Sequence, residues 1–341
     1  MILNRIKYKD AHDVLEFENN QIYGYTVLYN TNKSVKKYAG GIRIQNYNSK
    51  IYTLNTAYEL AKNMSLKSQY AKIPFGGCKT VLNLNGKKIE KSEIHKILSK
   101  VIEYFKKQII IGPDSGFSDM DLIDLKNSLT KISLKKSFIS KADKISYFTS
   151  QGVLGAIDAL AFPNSVEKQE IILLGYGQVG KELTKSLIKK NVSIDVYDID
   201  DTNYSALLKN VNFLSSLDNS FKKYDFCILA GPKIELNIFE KLKFKNLLSI
   251  TNIPIRDNSK EIFDIIKERN IIFFEDYKIN YGGLLGCWYD YNDELNKLDS
   301  IKNHIYDNIA SEINEIQVKK QYDSKEGSLF YKNIMGEGSN N

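Results

Sequence analysis

Along the chain, the pattern of apolar and polar positions changes character near residue 150. Before it, segments between 15 and 44 alternate with the period of two expected of half-buried strands, "QIYGYTVLYN" (21–30) being the clearest. A helix is predicted over about 50–70, where Ile51, Leu54, Ala57, Leu60, Ala61 and Met64 trace one stripe and a step of seven from Leu60 lands on Lys67. A strand is expected from Thr80, carrying Val81, Leu82 and Leu84. A charged helix over about 90–107 follows, then the apolar run "IIIGPD" and a short helix capped by Ser118 with Asp121 three residues on. After about 150, short apolar runs ("IILLG", "IDVYD", "FCILA", "LLSIT", "IIFFE") alternate with helical stretches, the signature of a parallel sheet. An amphipathic helix over about 288–323 can cross back onto the first half. The expected fold is therefore α/β. It comprises an N-terminal α/β unit over 1–145, a Rossmann-type doubly wound parallel sheet over 146–318 with a cleft between the two, and a segment over 319–341 that returns to the first unit and ends in a disordered "GEGSNN" tail.

Composition narrows the class. A chain of 341 residues, 43% apolar and 26% charged, suits two folded domains. The net charge of +7 comes from lysines scattered without a basic cluster or aromatic platform, which reads as a lysine-rich surface and not as a nucleic-acid partner. "MILNRIKYKD" has no signal-peptide core and no apolar run reaches membrane-spanning length, so a cytoplasmic protein without a membrane partner is expected. Cys78, Cys227 and Cys287 lack metal spacing and cannot make a disulfide framework. The only histidines are His12, His95 and His304, each among polar neighbours. No metal is expected, and acid–base chemistry falls to Lys, Asp, Glu or Tyr.

"IILLGYGQVG" (171–180) places Gly175, Gly177 and Gly180 between a buried strand and the helix that opens with Gln178 and Val179. Gly175 would make the tight turn, Gly177 would let a pyrophosphate approach the backbone at the helix N-terminus, and Gly180 would let helix pack on strand. Asp198 ends the next strand, 23 residues after the first glycine; there it would accept hydrogen bonds from a ribose diol and repel a 2′-phosphate, favouring NAD over NADP.

In the first half, Lys67 on the buried face has two readings: a helix-terminal lysine that snorkels outward, or an ammonium aimed into a cleft to hold an anion. Lys79 follows the pair Gly76 and Gly77, placed where loop meets strand. Asp114 stands between glycines at the end of "IIIGP", as either a turn residue or a functional carboxylate.

The order "GGIR", "MSLK", "FGGCK", "GPDSG", "TSQG", "GYGQVG", "ITN", "NYGG" resembles the glutamate/leucine/phenylalanine/valine dehydrogenases, nearest the leucine and phenylalanine branch, over about residues 10–325. The resemblance implies a substrate-binding and oligomerisation role for the first unit, a homo-oligomer, and reversible NAD-dependent oxidative deamination of an L-amino acid. By the same resemblance Lys67 binds the substrate α-carboxylate, Lys79 is the catalytic acid/base and Asp114 handles protons at the amino group. Thr149 and Asn252 line the nicotinamide. Asn280, Gly282 and Gly283 match the asparagine and glycine pair at the cleft, and Gly40 and Gly41 match backbone near the substrate. Ala39 and Cys287 replace the lysine and serine that hold glutamate's side chain. Together with Gly112 and Leu284 they imply an apolar or aromatic substrate.

Two neighbouring lysines in a cleft that dries on closure are expected to lose pKa through repulsion and desolvation, making Lys79 a usable base. Gly76 and Gly77 would keep side chains out of the substrate's space. The chain departs from the family pattern at "TNIP" (251–254), where leucine-type members read "ANNQ", and at Tyr281, where alanine is usual. These departures suit a divergent member. A specialised biosynthetic use of the fold, joining carbonyl compounds or reducing an imine, and a non-catalytic NAD-binding relative are the alternatives.

Overall fold

The computed structural model describes residues 1–19, 22–31, 35–106, 108–129, 144–200, 210–217, 222–231, 234–255 and 259–322. The first of its two six-stranded sheets contains β1 (Ile2–Ile6), β2 (Asp13–Glu18), β3 (Tyr23–Tyr29), β4 (Tyr38–Gln45), β5 (Gly76–Asn83) and β6 (Ile109–Gly112), in the order β1-β2-β3-β5-β4-β6. β1, β2, β3 and β5 pair antiparallel, while β4 runs parallel to β5 and β6. Parallel pairing demands crossovers, supplied by α1 (Lys50–Tyr70) and α2 (Lys91–Phe105). Alternate strand residues go to opposite faces. Tyr25, Val27 and Val81 meet Leu54, Ala57 and Ala61 of α1; Leu28, Ile42 and Leu82 share a cluster with Ile97, Leu98, Val101 and Ile102 of α2.

The structure corrects two expectations here. Ile51 is 57% exposed, because the first turn of α1 faces solvent and the buried stripe starts only at Thr53. β5 begins at Gly76 and not at Thr80, so Lys79 lies inside a strand whose eight positions are all buried. The glycine pair does not precede the strand but opens it: Gly76 packs against the Tyr38 ring and the Tyr29 carbonyl, and Gly77 lets α1 lie close upon the strand. A Cβ on Gly77 would stand 1.8 Å from the Ala61 carbonyl oxygen, so packing against the helix, rather than space for a substrate, is what requires glycine there. α3 (Asp119–Ser128) opens with the expected Ser118–Asp121 capping box.

The second half holds α4 (Ile145–Ala161), β7 (Ile171–Leu174), α5 (Gln178–Lys189), β8 (Ile194–Tyr197), β9 (Val211–Phe213), β10 (Lys223–Leu229), α6 (Leu236–Lys241), β11 (Lys243–Ser249), α7 (Ser259–Glu268) and β12 (Ile272–Phe273). Its sheet is parallel throughout, in the order β12-β11-β10-β7-β8-β9. The chain starts at the central β7, builds outward to β9, then returns to β10 on the other side. This is the doubly wound arrangement, with its switch point between β7 and β10. α8 (Asp276–Ile279), α9 (Gly282–Tyr291) and α10 (Ile301–Tyr322) follow, and α4 packs against α5, α9 and α10. The single helix expected over 288–323 is thus broken: α9 stops before Asp293, whose φ of 58° is left-handed, and a short 3-10 turn over Leu295–Ser300 leads into α10. Residues 323–341, including the expected disordered tail, lie outside the described residues. No described helix is long and apolar enough to cross a membrane.

Candidate active site

The close seat of α1 on β5 decides the site. It brings Lys67, in the last turn of the helix, and Lys79, in the strand, into one buried layer, at 6% and 5% exposure. Of the two readings of Lys67, the outward snorkel is excluded. The Lys79 ammonium donates to the Asp114 carboxylate, which follows β6. Asp114 also receives Arg43, through Nε at 2.9 Å and Nη2 at 3.2 Å. Arg43 was not singled out in the sequence, although it stands two positions beyond Gly41 and the strand period puts both on one face. Gly41 forms the wall beside them: a Cβ there would lie 3.4 Å from Lys79 Nζ. Gly40 instead abuts the Cys78 carbonyl and serves strand packing.

The second unit faces this layer through the loop after β11. Asn252 Oδ1 accepts from Lys67 Nζ at 2.5 Å and from Asn280 Nδ2 at 3.3 Å; Asn280 Nδ2 also donates to the Ile250 carbonyl at 2.9 Å. Asn280 Oδ1 is buried without a hydrogen-bond partner among the described residues. Thr149 is buried on α4, its hydroxyl donating to the Ile145 carbonyl at 2.9 Å and lying against Gly283. Asp276, absent from the sequence-based candidates, is buried in α8 and accepts from Asn63 Nδ2 of α1 at 3.0 Å.

Burial pushes the Lys67 ammonium down to about 8; Asp276 opposes that shift and Lys79 adds to it. Burial likewise lowers Lys79, against the pull of Asp114, with the like charge of Arg43 assisting. Burial works against the charge of Asp114, yet Lys79 and Arg43 overcome it and hold this carboxyl well below the usual range.

On the apolar side, Ala39 pairs with Gly77 and Ile110, and Gly112 lies beside Gly41. Leu284 is buried on α9. Cys287, one turn later, is partly buried, and burial raises its thiol to about 12. Ala39 and Leu284 belong to one apolar cluster, against which Cys287 packs. Tyr281 is fully buried between Tyr70 and His304, its hydroxyl accepting from Asn308 Nδ2 at 2.7 Å. It fills space between helices.

At the switch point, Gly175 has φ 107°, and a Cβ there would stand 2.3 Å from the Gly231 amide nitrogen, so only glycine fits. Gly177 caps α5 with open space above it, Gln178 and Val179 form the first turn, and Gly180 faces the Gly175 carbonyl at a spacing no side chain tolerates. This is a cradle a dinucleotide fits: bare backbone, amides at a helix N-terminus, and Asp198 at its lip. Asp198 accepts from the Asp200 amide at 2.9 Å and from the Tyr176 amide of the turn itself. A cavity of ≈ 700 Å³ opens along the flank of α5, lined by Gln178, Lys181 and Lys185 with Ser146 and Tyr147; neither buried lysine lines it.

The family profile described as "Glu/Leu/Phe/Val dehydrogenase, dimerisation domain" matches residues 7–129. A leucine dehydrogenase of Bacillus cereus is 27% identical over 289 residues, covering 80% of this chain and 77% of that protein. A phenylalanine dehydrogenase of Lysinibacillus sphaericus is 23% identical over 290 residues, covering 80% and 75%. Among solved structures, an L-tryptophan dehydrogenase from Nostoc punctiforme superposes with a TM-score of 0.68 over 88% of each chain at 19% identity. A hetero-hexameric glutamate dehydrogenase from Thermus thermophilus does so with 0.67, over 94% of this chain and 83% of that one, at 14% identity. Residues 7–129 thus match the dimerisation domain of the glutamate/leucine/phenylalanine/valine dehydrogenases, and most of the chain is similar to leucine and phenylalanine dehydrogenases and shares the fold of the solved tryptophan and glutamate enzymes.

Proposed function

We propose that the protein is an NAD-dependent L-amino acid dehydrogenase that reversibly deaminates an apolar or aromatic amino acid to its 2-oxo acid and ammonia. The observation that carries this reading is the buried layer of Lys67, Lys79, Asp114 and Arg43 facing Asn252 and Asn280. A layer with two desolvated ammoniums suits a substrate that brings its own carboxylate. In this reading residues 1–145 bind substrate and associate into a homo-oligomer in the cytoplasm, residues 146–318 hold the dinucleotide, and residues 319–341 return to the first unit.

The Gly175–Gly180 turn and the N-terminus of α5 would hold the pyrophosphate, Asp198 the ribose, and Thr149 and Asn252 the nicotinamide side. NAD, when bound, supplies the acceptor for hydride leaving the substrate Cα. Lys67 takes the α-carboxylate, exchanging Asn252 for it. Lys79, as the free amine its burial favours, removes a proton from water as that water adds to the imine carbon, and returns a proton when ammonia leaves. Asp114 stays ionised between Lys79 and Arg43, so its part is to accept the substrate's N–H and aim it, while the proton travels through Lys79. Ala39, Gly112, Leu284 and Cys287 offer no cation or hydroxyl to a side-chain carboxylate, whose uncompensated burial costs several kcal/mol.

The test is NADH formation across a panel of L-amino acids, with the reverse reaction run on 2-oxo acids plus ammonia. Turnover of leucine, phenylalanine or tryptophan with kcat/KM well above that of glutamate is expected. A glutamate value equal to the others would refute the pocket, and absence of turnover in either direction would refute the activity.

A further inference from the structure

The charges around Lys79 do not balance. Arg43 and Lys79 both donate to the one carboxylate of Asp114, and no second carboxylate is hydrogen-bonded to either among the described residues. β4 brings the three together. In its parallel register with β5, Arg43 stands opposite Val81, two positions on from Lys79 and on the same face. Gly41, the preceding residue on that face, leaves the gap that Asp114 fills: a Cβ there would stand 2.7 Å from the Pro113 carbonyl oxygen and 3.0 Å from Asp114 Cβ. The end of β4 then clasps the turn that carries Asp114, the Ile44 amide donating to the Ser115 carbonyl at 2.9 Å and Gln45 Nε2 to the Ser115 hydroxyl at 3.0 Å. The Arg43 guanidinium lies along the carboxylate as a fork, Nη2 on Oδ1 and Nε on Oδ2, whereas Lys79 reaches Oδ2 alone and shares it.

We propose that Arg43 is a positioning residue that acts through Asp114: its fork fixes the carboxylate and takes up its charge, and so leaves Lys79 free to give up its proton and serve as the base. The inference rests on the dehydrogenase reading for what that base does. Of the three groups only Lys79 can change charge, since a guanidinium keeps its proton and Asp114 is held ionised by both cations. With Arg43 present, two cations face one carboxylate, and loss of the Lys79 proton removes the excess charge from the buried layer. Without Arg43, Lys79 and Asp114 form a closed ion pair, which holds the ammonium. No other neighbour supplies what Arg43 does. Lys67 of α1 adds a further positive charge, and the charge of Asp276, from α8, acts on Lys67. The Tyr47 phenol, after β4, is raised by burial and donates to Gln45 at 3.1 Å, and burial pushes the Cys78 thiol, next to Lys79 in β5, up to about 12.

Arg43→Gln should make Lys79 harder to deprotonate. With the amino acid saturating, so that its carboxylate holds Lys67, the acid limb of the kcat profile should move to higher pH by about one unit or more. Below both midpoints kcat should fall about tenfold, and above them it should return to within about threefold of wild type. Arg43→Lys, which keeps the charge and gives up the fork, should bring the midpoint at least halfway back. Titration of Lys79 followed through the NMR signals of lysines labelled at Cε, with its own signal assigned by its loss in Lys79→Arg, should show the same displacement. Arg43→Met, which keeps the apolar stem, replaces Arg43→Gln in both measurements if the amide variant does not fold. A kcat lowered alike at every pH, or a Lys79 titration that stays where it is in the wild type, would make Arg43 merely structural and overturn the proposal. A wild-type protein that turns over no amino acid would sink the dehydrogenase reading instead, and the Lys79 titration would still decide what Arg43 does.

Discussion

The two sheets handle buried charge in opposite ways. In the second sheet the central strand is wholly apolar, and its one deeply buried carboxylate, Asp195, is surrounded by donors: Asn212 at 3.0 Å, Lys222 at 3.1 Å and the Tyr224 hydroxyl at 2.8 Å. That is a satisfied structural network, and the working surface of this sheet is bare backbone at Gly175 and Gly177. Between the first sheet and α1 two lysines are buried, Lys79 from the sheet and Lys67 from the helix, and burial outweighs their partners so that both ammoniums are lowered. Charges left out of balance inside a fold are costly unless a ligand completes them, and on that ground the proposed chemistry is assigned to the first sheet and not the second.

The sharpest way to break this comparison is Lys79→Ala. If the first sheet carries the chemistry and the second only the cofactor, kcat should fall at least a hundredfold, within the roughly 10² to 10⁴ of a general acid–base group, while NAD affinity stays unchanged. Calorimetric titration of NAD alongside single-turnover kinetics checks both halves. Near wild-type turnover, or a large loss of NAD binding, would mean that the two sheets do not divide the work this way.

How far the sequence foretold this contrast differs between the halves. The glycine turn, its helix and Asp198 are neighbours in the chain, so a local pattern sufficed to place them. Lys67 was legible because helical spacing carries the buried stripe of α1 through to its last turn. What escaped was non-local. Arg43 and Asp114 are 71 positions apart, and Asn63 and Asp276 are 213 apart, so only the strand order and the docking of α1 on the second unit bring each pair together. The glycine pair ahead of Lys79 misled because bare backbone marks a loop as readily as a strand under a tightly seated helix. Nor does anything in "TNIP" announce that an isoleucine will take a left-handed φ.

A smaller effect sharpens the contrast through stability. Lys67 releases its proton near 8 when folded and near 10.4 when unfolded, so the unfolded chain binds more protons between those values and stability should rise with pH across that window. Below about 8 the penalty of the buried ammonium is fully present, of the order of 3 kcal/mol. In Lys67→Met the penalty is gone. The stability of this variant relative to wild type should therefore fall by about 3 kcal/mol between pH 7 and pH 10.4, as read from urea unfolding at a series of pH values. The same variant should raise the amino-acid KM at least about tenfold, and wild-type kcat/KM should decline above about pH 8 as Lys67 loses the charge that holds the carboxylate. A pH-independent difference in stability would show that the Lys67 ammonium is fully compensated in the fold.

The smallest expected effect lies in the second sheet, where a charge acts at the surface and not in the core. Asp198 sits at the lip of the glycine turn, its oxygens taking the Tyr176 and Asp200 amides, and in the proposed function it also meets the cofactor ribose. A 2′-phosphate brought beside it meets a like charge near solvent, a repulsion of roughly 1–4 kcal/mol, and NAD should bind at least about tenfold tighter than NADP. Asp198→Ala should narrow that gap, but it also releases two amides of the turn and should weaken both cofactors together. Asp198→Asn comes closer to separating the two effects, since one oxygen still accepts while the charge is gone and only one of the two amides is released. The ratio should then fall to about threefold or less, with NAD affinity lowered only by the loss of one charge-assisted hydrogen bond. Titration of both cofactors into wild type and the two variants measures the ratio directly. Equal affinities in the wild type would remove Asp198 from the ribose and leave the glycine turn as the only cofactor determinant of this sheet.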